Sequence, residues 1–295
     1  MTLIKVNFFI ILFLLQIIFC ESTYNALELS SNASSHSLHN GAVASKTKYL
    51  NVNPASIFIE HNQFEISQLI LPSDILSSNV SYTWMHKKMI NFFKINSVNY
   101  GKLKDDFNKT EFRANDIFFE IGQKIEYKEL ISFGYSIGYL NSSIDQYSSS
   151  GIFSNIGLRM DVFNKRLSIG ATLNNIGFQL RSYIKNNEFL PTSMKYGISF
   201  KPLYFPAYIY IDFIKYINYE NTKLQIGLDF NIKNQFNFRI STINNRHDLN
   251  INQYYKDIFN NFSFGLGIKI KNKNINLSLQ NMGPAGLVYG FSILL

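Results

Sequence analysis

The chain has 295 residues, of which 46% are hydrophobic and 16% aromatic, while only 16% are charged. Ordinary soluble domains carry roughly 25% charged residues, and the near-zero mean hydropathy excludes a chain built from apolar membrane helices. A formal net charge of +8 is spread over scattered lysines without a basic run, which argues against a nucleic-acid-binding stripe.

The N-terminal stretch MTLIKVNFFIILFLLQIIFC holds one lysine followed by an apolar run from Phe8 to Phe19. That run suits the h-region of a secretory signal peptide and is too short to span a bilayer. Residues 1–20 are therefore read as a signal peptide cleaved close to Cys20, the only cysteine, so no internal disulfide forms. Phe19 is a poor neighbour for a lipidated cysteine, and a plain signal peptide is the better reading. Residues 21–56, rich in Ser, Asn, His and Ala, show no sustained period and form an N-terminal extension.

From residue 57 to 295 the chain alternates with period two between short polar turns. The predicted strands are 63–70, 79–87, 89–100, 115–125, 130–140, 153–163 and 166–177, then 193–200, 207–216, 222–232, 235–243, 261–270, 274–282 and 287–295. Most have the length of a tilted transmembrane strand, about 9–11 residues. One face is lipid-like, as in Leu224, Ile226, Leu228, Phe230 and Ile232; the opposite face holds Gln225, Gly227, Asp229 and Asn231. A soluble β-sandwich also alternates, but its strands are shorter and its apolar faces do not run to the strand ends. The expected fold is all-β: a transmembrane antiparallel barrel of about 14 strands, closed because backbone groups in lipid must be paired internally.

Isolated motifs point to no chemistry. Gly134-Tyr135-Ser136-Ile137-Gly138 fits the G-x-S-x-G pattern of hydrolase nucleophile elbows, yet it lies in mid-strand with no helix after it. Ser136 is expected to point into the lumen as one small residue among several. His36 and His39 have a spacing that could offer two metal ligands, but no cysteine or carboxylate cluster completes a site. The pair Asp105 and Asp106 reads as a solvated loop, and sequons such as Asn108 and Asn141 carry little weight in so Asn-rich a chain. No catalytic, cofactor or metal site is expected, and no nucleic-acid partner.

Several stretches, taken in order, carry a resemblance: STYNALELSSNASSHSLHNGAVAS, YLNVNPASI, VNYGKLKDDFNKTEFRANDI, YSSSGIFSNIGL, LNNIGFQLRSY and FLPTSMKYGIS. Over residues 22–215 they resemble the PorV/PorQ family of outer-membrane proteins, PorQ more than PorV, a family related to FadL-type barrels. The resemblance implies a fourteen-stranded barrel in the outer membrane and a non-enzymatic part in type IX secretion. Its implied partners are PorZ-, PorU- and PorV-like proteins, in a complex that joins secreted proteins to lipopolysaccharide. In the shared Asn53-Pro54-Ala55 element, Pro54 fixes its own φ and the Asn53 side chain can bond nearby backbone. Placed before the first strand, the element would fold residues 21–56 back into the lumen as a plug. Gly177 and Pro191 would mark a strand end and a strand start. The alternative is a FadL-like channel for hydrophobic small molecules, against which the mostly Gly, Ser, Asn and Gln inward faces argue.

Overall fold

The structure, a computed structural model, describes residues 24–50, 52–105, 110–163, 166–184, 188–217, 222–233, 235–244 and 259–295. The signal-peptide reading, Cys20, Asp106 and Asn108 lie outside the described residues.

Fourteen antiparallel strands close into one barrel, each paired to its neighbours in sequence and the first to the last. They are β1 (Gln63–Ile70), β2 (Leu76–His86), β3 (Met89–Asp105), β4 (Thr110–Tyr127), β5 (Ile131–Ile144), β6 (Tyr147–Val162) and β7 (Leu167–Arg181). There follow β8 (Ser193–Phe200), β9 (Ala207–Tyr216), β10 (Thr222–Ile232), β11 (Phe236–Ile243), β12 (Phe262–Ile270), β13 (Lys273–Asn281) and β14 (Leu287–Leu294). Closure is made by β1 against β14, with Ser67 opposite Ser292. Of the described helices none is long and apolar enough to cross a membrane, and the crossing is made by strands.

Period two in sequence becomes inside and outside in space. In β5, Ile131, Phe133, Tyr135, Ile137 and Tyr139 are exposed on the outer wall while Ser132, Gly134, Ser136, Gly138 and Leu140 are buried within. The same holds for Leu266 and Ile268 on β12 and for Tyr289 and Phe291 on β14. Large apolar side chains thus cover the outer wall all the way round, far beyond the apolar patches soluble monomers expose. Lipid is the solvent that satisfies such a wall.

All fourteen predicted strands are present, but the middle five are longer than expected. β4 runs 18 residues and β3 runs 17, ending in polar sequence such as KLKD and TEFR. Gly177 does not end a strand, as was expected; β7 continues to Arg181. A Cβ at Gly177 would lie 1.9 Å from the Ile152 carbonyl oxygen, beside a register shift between β6 and β7. The glycine permits that bulge. The strand connections define two rims. One carries the connections after β2, β4, β6, β8, β10 and β12, at most six residues long. The other carries the connections after the odd-numbered strands up to β13, among them residues 182–192 and 244–261.

Candidate functional site in the barrel lumen

Residues 24–50 and 52–59 pack against the inward faces of the strands. A single helical turn, α1 (Ala33–His36), is capped by Asn32, whose side chain accepts from Ser35 N at 2.8 Å and donates to the Leu50 carbonyl at 2.9 Å. Further on, Asn53 is fully buried and acts as the hub. Its Oδ1 accepts from Ala55 N at 2.9 Å, and its Nδ2 donates to the carbonyls of Val43 at 2.8 Å and Leu158 at 3.2 Å. Pro54 opens a short 3-10 turn in which its missing N–H costs nothing.

The wall supplies partners for the segment's backbone. Asp212 of β9 accepts from Ala42 N at 2.6 Å and Val43 N at 3.1 Å. Arg159 donates to the Ala44 carbonyl at 2.8 Å, Lys124 to that of Ile57 at 2.9 Å and Ser241 to that of Ser37 at 2.8 Å. Glycines let the segment come close. A Cβ on Gly134 would sit 2.4 Å from Ala55 N, one on Gly157 1.9 Å from Asn53 Oδ1, and one on Gly170 2.7 Å from the Val43 carbonyl oxygen. Gly134 faces Gly157 across β5 and β6, while Gly170 faces Gly197 across β7 and β8.

The elbow-like motif thus has a structural role. Gly134 seats the Asn-Pro-Ala turn, and Ser136 Oγ donates to Glu120 Oε1 at 2.6 Å. Glu120 also accepts from Asn155 Nδ2 at 2.8 Å and pairs with Lys94. Among the described residues no histidine joins this network. His36 and His39 do not converge: His36 Nδ1 meets Ser278 Oγ at 2.9 Å on β13, and His39 Nδ1 meets Ser241 Oγ at 2.7 Å on β11. Burial pushes His36 down to about 4 and, with the neighbouring His36, takes His39 to about 3, so both rings are neutral at pH 7. Burial pushes the Glu28 carboxyl up, partly offset by Lys195 and by the Tyr216 hydroxyl. Among the described residues no group of three His, Cys, Asp or Glu side chains could hold a metal. Asp105 pairs its backbone with Thr110 at the end of β3, Asn141 lies within β5, and the Pro191 carbonyl accepts from Asn175 just ahead of β8.

The segment divides the lumen. Towards the long connections lies a cavity of about 430 Å³ walled by Leu69, Ile214, Tyr216, Ile243, Met282 and Val288, with Glu28, Lys195 and Lys223 as its charged groups. Towards the short turns lies a polar cavity of about 610 Å³, where Arg159 pairs with Asp161 and Arg239 with Asp229 beneath Tyr49 and Tyr210. A space of about 60 Å³ lined by Lys94, Glu120, Asn155 and Asn174 adjoins the first cavity through Glu28, Leu29, Asn40 and Lys195. It shares no lining residue with the polar cavity.

The inward faces are mostly small and polar, as expected, but not at the end nearest the long connections. In β1, β11 and β14 the inward residues nearest the long connections are apolar, Leu69, Ile243 and Val288, and in β9 Ile214 lies one inward position before Tyr216. Val98, Phe118, Leu140 and Phe153 continue that lining on β3 to β6, packed with Tyr24 and Leu190.

No protein-family model and no curated protein matches the chain. Solved structures do. The Pseudomonas putida toluene transporter TodX aligns at 12% identity over 90% of this chain and 96% of that one, with a TM-score of 0.62. The Ralstonia pickettii toluene transporter TbuX aligns at 11% identity over 89% of this chain and 96% of that one, TM-score 0.60. A Pseudomonas aeruginosa FadL homologue aligns at 8% identity over 90% of this chain and 98% of that one, TM-score 0.55. None of these findings bears specifically on the PorV/PorQ resemblance. At such identities the likeness establishes the fold, which is that of the FadL-type outer-membrane barrels.

Proposed function

We propose that the chain is an exported outer-membrane channel for hydrophobic small molecules, with residues 1–20 as its signal peptide and residues 21–56 as its plug. The observation that carries this reading is the apolar cavity of about 430 Å³ at the long-connection end of a FadL-type barrel. Its size falls within the roughly 300–1,000 Å³ of small-molecule sites, and the apolar wall of Leu69, Ile214, Ile243, Met282 and Val288 stands beside a polar one that includes Glu28, His36, His39, Lys195, Lys223 and Gln280. The turn around Asn53, Pro54 and Ala55 holds the plug to the wall, and no chemistry is assigned to Ser136. The reading needs no cofactor. Purified mature protein in nanodiscs is expected to bind a monoaromatic probe saturably, and Ile243→Trp is expected to abolish that binding while the barrel stays folded. Absence of saturable binding to the unaltered protein would overturn the reading.

A second reading rests on the ordered motifs shared with the PorV/PorQ family. In it the barrel anchors PorZ-, PorU- and PorV-like proteins and contacts lipopolysaccharide, and the filled lumen conducts nothing. A mild-detergent pull-down of tagged protein from its native membrane separates the two readings. Recovery of PorZ- or PorU-like proteins favours the anchor, and a lone barrel carrying bound hydrophobic compound favours the channel.

A further inference from the structure

The two rims of the barrel differ in charge. In sequence, the six short turns hold eight Lys or Arg residues and one carboxylate, Glu129. The seven connections of the other rim hold four Lys or Arg residues and seven Asp or Glu residues. Every short turn has at least one cation: Lys87 and Lys88, Lys128, Arg166, Lys201, Lys233 and Lys271, all exposed. Among the described residues none of these seven forms an ion pair.

An independent observation concerns the backbone. Lys87, Lys128, Lys233 and Lys271 have φ between 48° and 55°, the left-handed conformation that glycine and asparagine adopt with least strain. Glu129 and Phe163 share this conformation at the same rim, and at the opposite rim it is taken by Ser73, Asp74, Asp145, Asn261 and Gly283. In four separate turns of an Asn-rich chain, the strained position is occupied by lysine.

We infer that these lysines form an electrostatic collar that binds the anionic phospholipid headgroups of the leaflet around the short-turn rim. Because the strands close, cations in all six turns surround the barrel, whereas a one-sided protein partner would need only an arc. The collar also stands among side chains suited to an interface. Lys128 lies 5.2 Å over the outward Tyr127 ring, and Tyr204 is 94% exposed in the same band. In barrels of this class short turns face the periplasm, which makes the leaflet the inner one. The inference rests on the membrane-barrel fold and holds whether or not the lumen conducts.

Spin-labelled phosphatidylglycerol and phosphatidylcholine, compared by electron paramagnetic resonance in phosphatidylcholine vesicles containing the full mature chain, test it. The expected result is about a threefold preference for phosphatidylglycerol that disappears in molar salt. The variant K87N/K128N/K233N/K271N, whose new residues suit the backbone, should fold and lose most of the preference. K102Q/K104Q, at the far end of β3, should keep it. Equal association of the two lipids, a salt-insensitive preference, or its survival in the four-asparagine variant would overturn the inference. A barrel with no lipid preference that is retained on immobilised polyglutamate would assign the collar to an acidic protein instead.

Discussion

Replacing Asn53 by alanine tests how the N-terminal segment is held. The substitution removes the acceptor of Ala55 N and the donor to the carbonyls of Val43 and Leu158, all at 2.8–3.2 Å. The Val43 carbonyl keeps the Ser56 hydroxyl at 2.9 Å, whereas Ala55 N loses the partner that caps its turn. Net hydrogen bonds contribute about 1 kcal/mol each, and an orphaned buried donor costs about 1–3 kcal/mol. A loss of about 3 kcal/mol follows, or about a 100-fold rise in local opening at roughly 1.4 kcal/mol per tenfold. Hydrogen–deuterium exchange in nanodiscs reads this at the amides of Ala42, Val43, Thr47 and Phe58, each bonded in the closed segment. Exchange should accelerate there and stay unchanged in β10 to β14. Gly134→Ala should act in the same sense, because its new Cβ meets backbone 2.4 Å away that cannot turn aside. A rise of less than about threefold in both variants, against the roughly 1 kcal/mol scale of one hydrogen bond, would refute Asn53 as the hub. Equal acceleration across the strands would instead show that the barrel itself had loosened.

Acid should release the same segment. His36 titrates at about 4 when packed and at 6.5 in water, so the packed state binds fewer protons across that interval. Its contribution is complete above about pH 6.5 and falls as pH drops towards 4, by about 3 kcal/mol at roughly 1.36 kcal/mol per pH unit, and His39, at about 3 when packed, acts in the same sense; exchange at Ser37 and Leu38 measured from pH 7 to 4 checks the sign, and His36→Gln should remove about half of the slope. Each Lys→Asn change at Lys87, Lys128, Lys233 or Lys271 should stabilise the barrel by about 0.5–1 kcal/mol in urea unfolding from lipid vesicles, since a lysine at positive φ carries strain that asparagine largely avoids. Val288→Phe adds a ring to the cavity of about 430 Å³ and should weaken binding of a monoaromatic probe about tenfold, read by equilibrium titration.

The barrel was legible because lipid and lumen impose opposite chemistry on alternate residues, and Ile131 to Tyr139 obey that rule without a break. The ends of β3 and β4 were not. Beyond the apolar band both faces meet water, so KLKD and TEFR lose the alternation while keeping the ladder. The seats of the N-terminal segment were also hidden. In sequence, Gly134 and Gly157 are two small inward residues; only the register that sets them opposite one another, under Pro54 and Asn53, makes them a notch. The apolar cavity left a readable signal that averaging a face conceals. In FNFRISTI the inward residues run Asn237, Arg239, Ser241 and then Ile243, and in QFEISQLI they run Glu65, Ser67 and then Leu69. In each case the change falls at the last inward position before a long connection.

That change in lining gives the lumen a direction. An apolar molecule entering from the long-connection rim meets Leu69, Ile214, Ile243 and Val288 and leaves water at a gain of about 25 cal/mol per Å² buried. Beside it the Lys94–Glu120 pair, Asn155 and Asn174, with Phe92, Phe118 and Phe153, leave a space of only about 60 Å³, too small for an apolar ring to enter without displacing these groups. On the channel reading, onward movement through the lumen requires residues 31–50 and 52–57 to shift. The energy of that shift is set by the contacts of Asn53 and Asp212 with the wall and the segment. Asn53→Ala should therefore raise the flux of an apolar probe while leaving its affinity for the upper cavity nearly unchanged, a split that vesicle uptake and equilibrium binding together resolve. If affinity fell in step with the contacts while flux did not rise, the segment would be a wall of the binding site and not its gate.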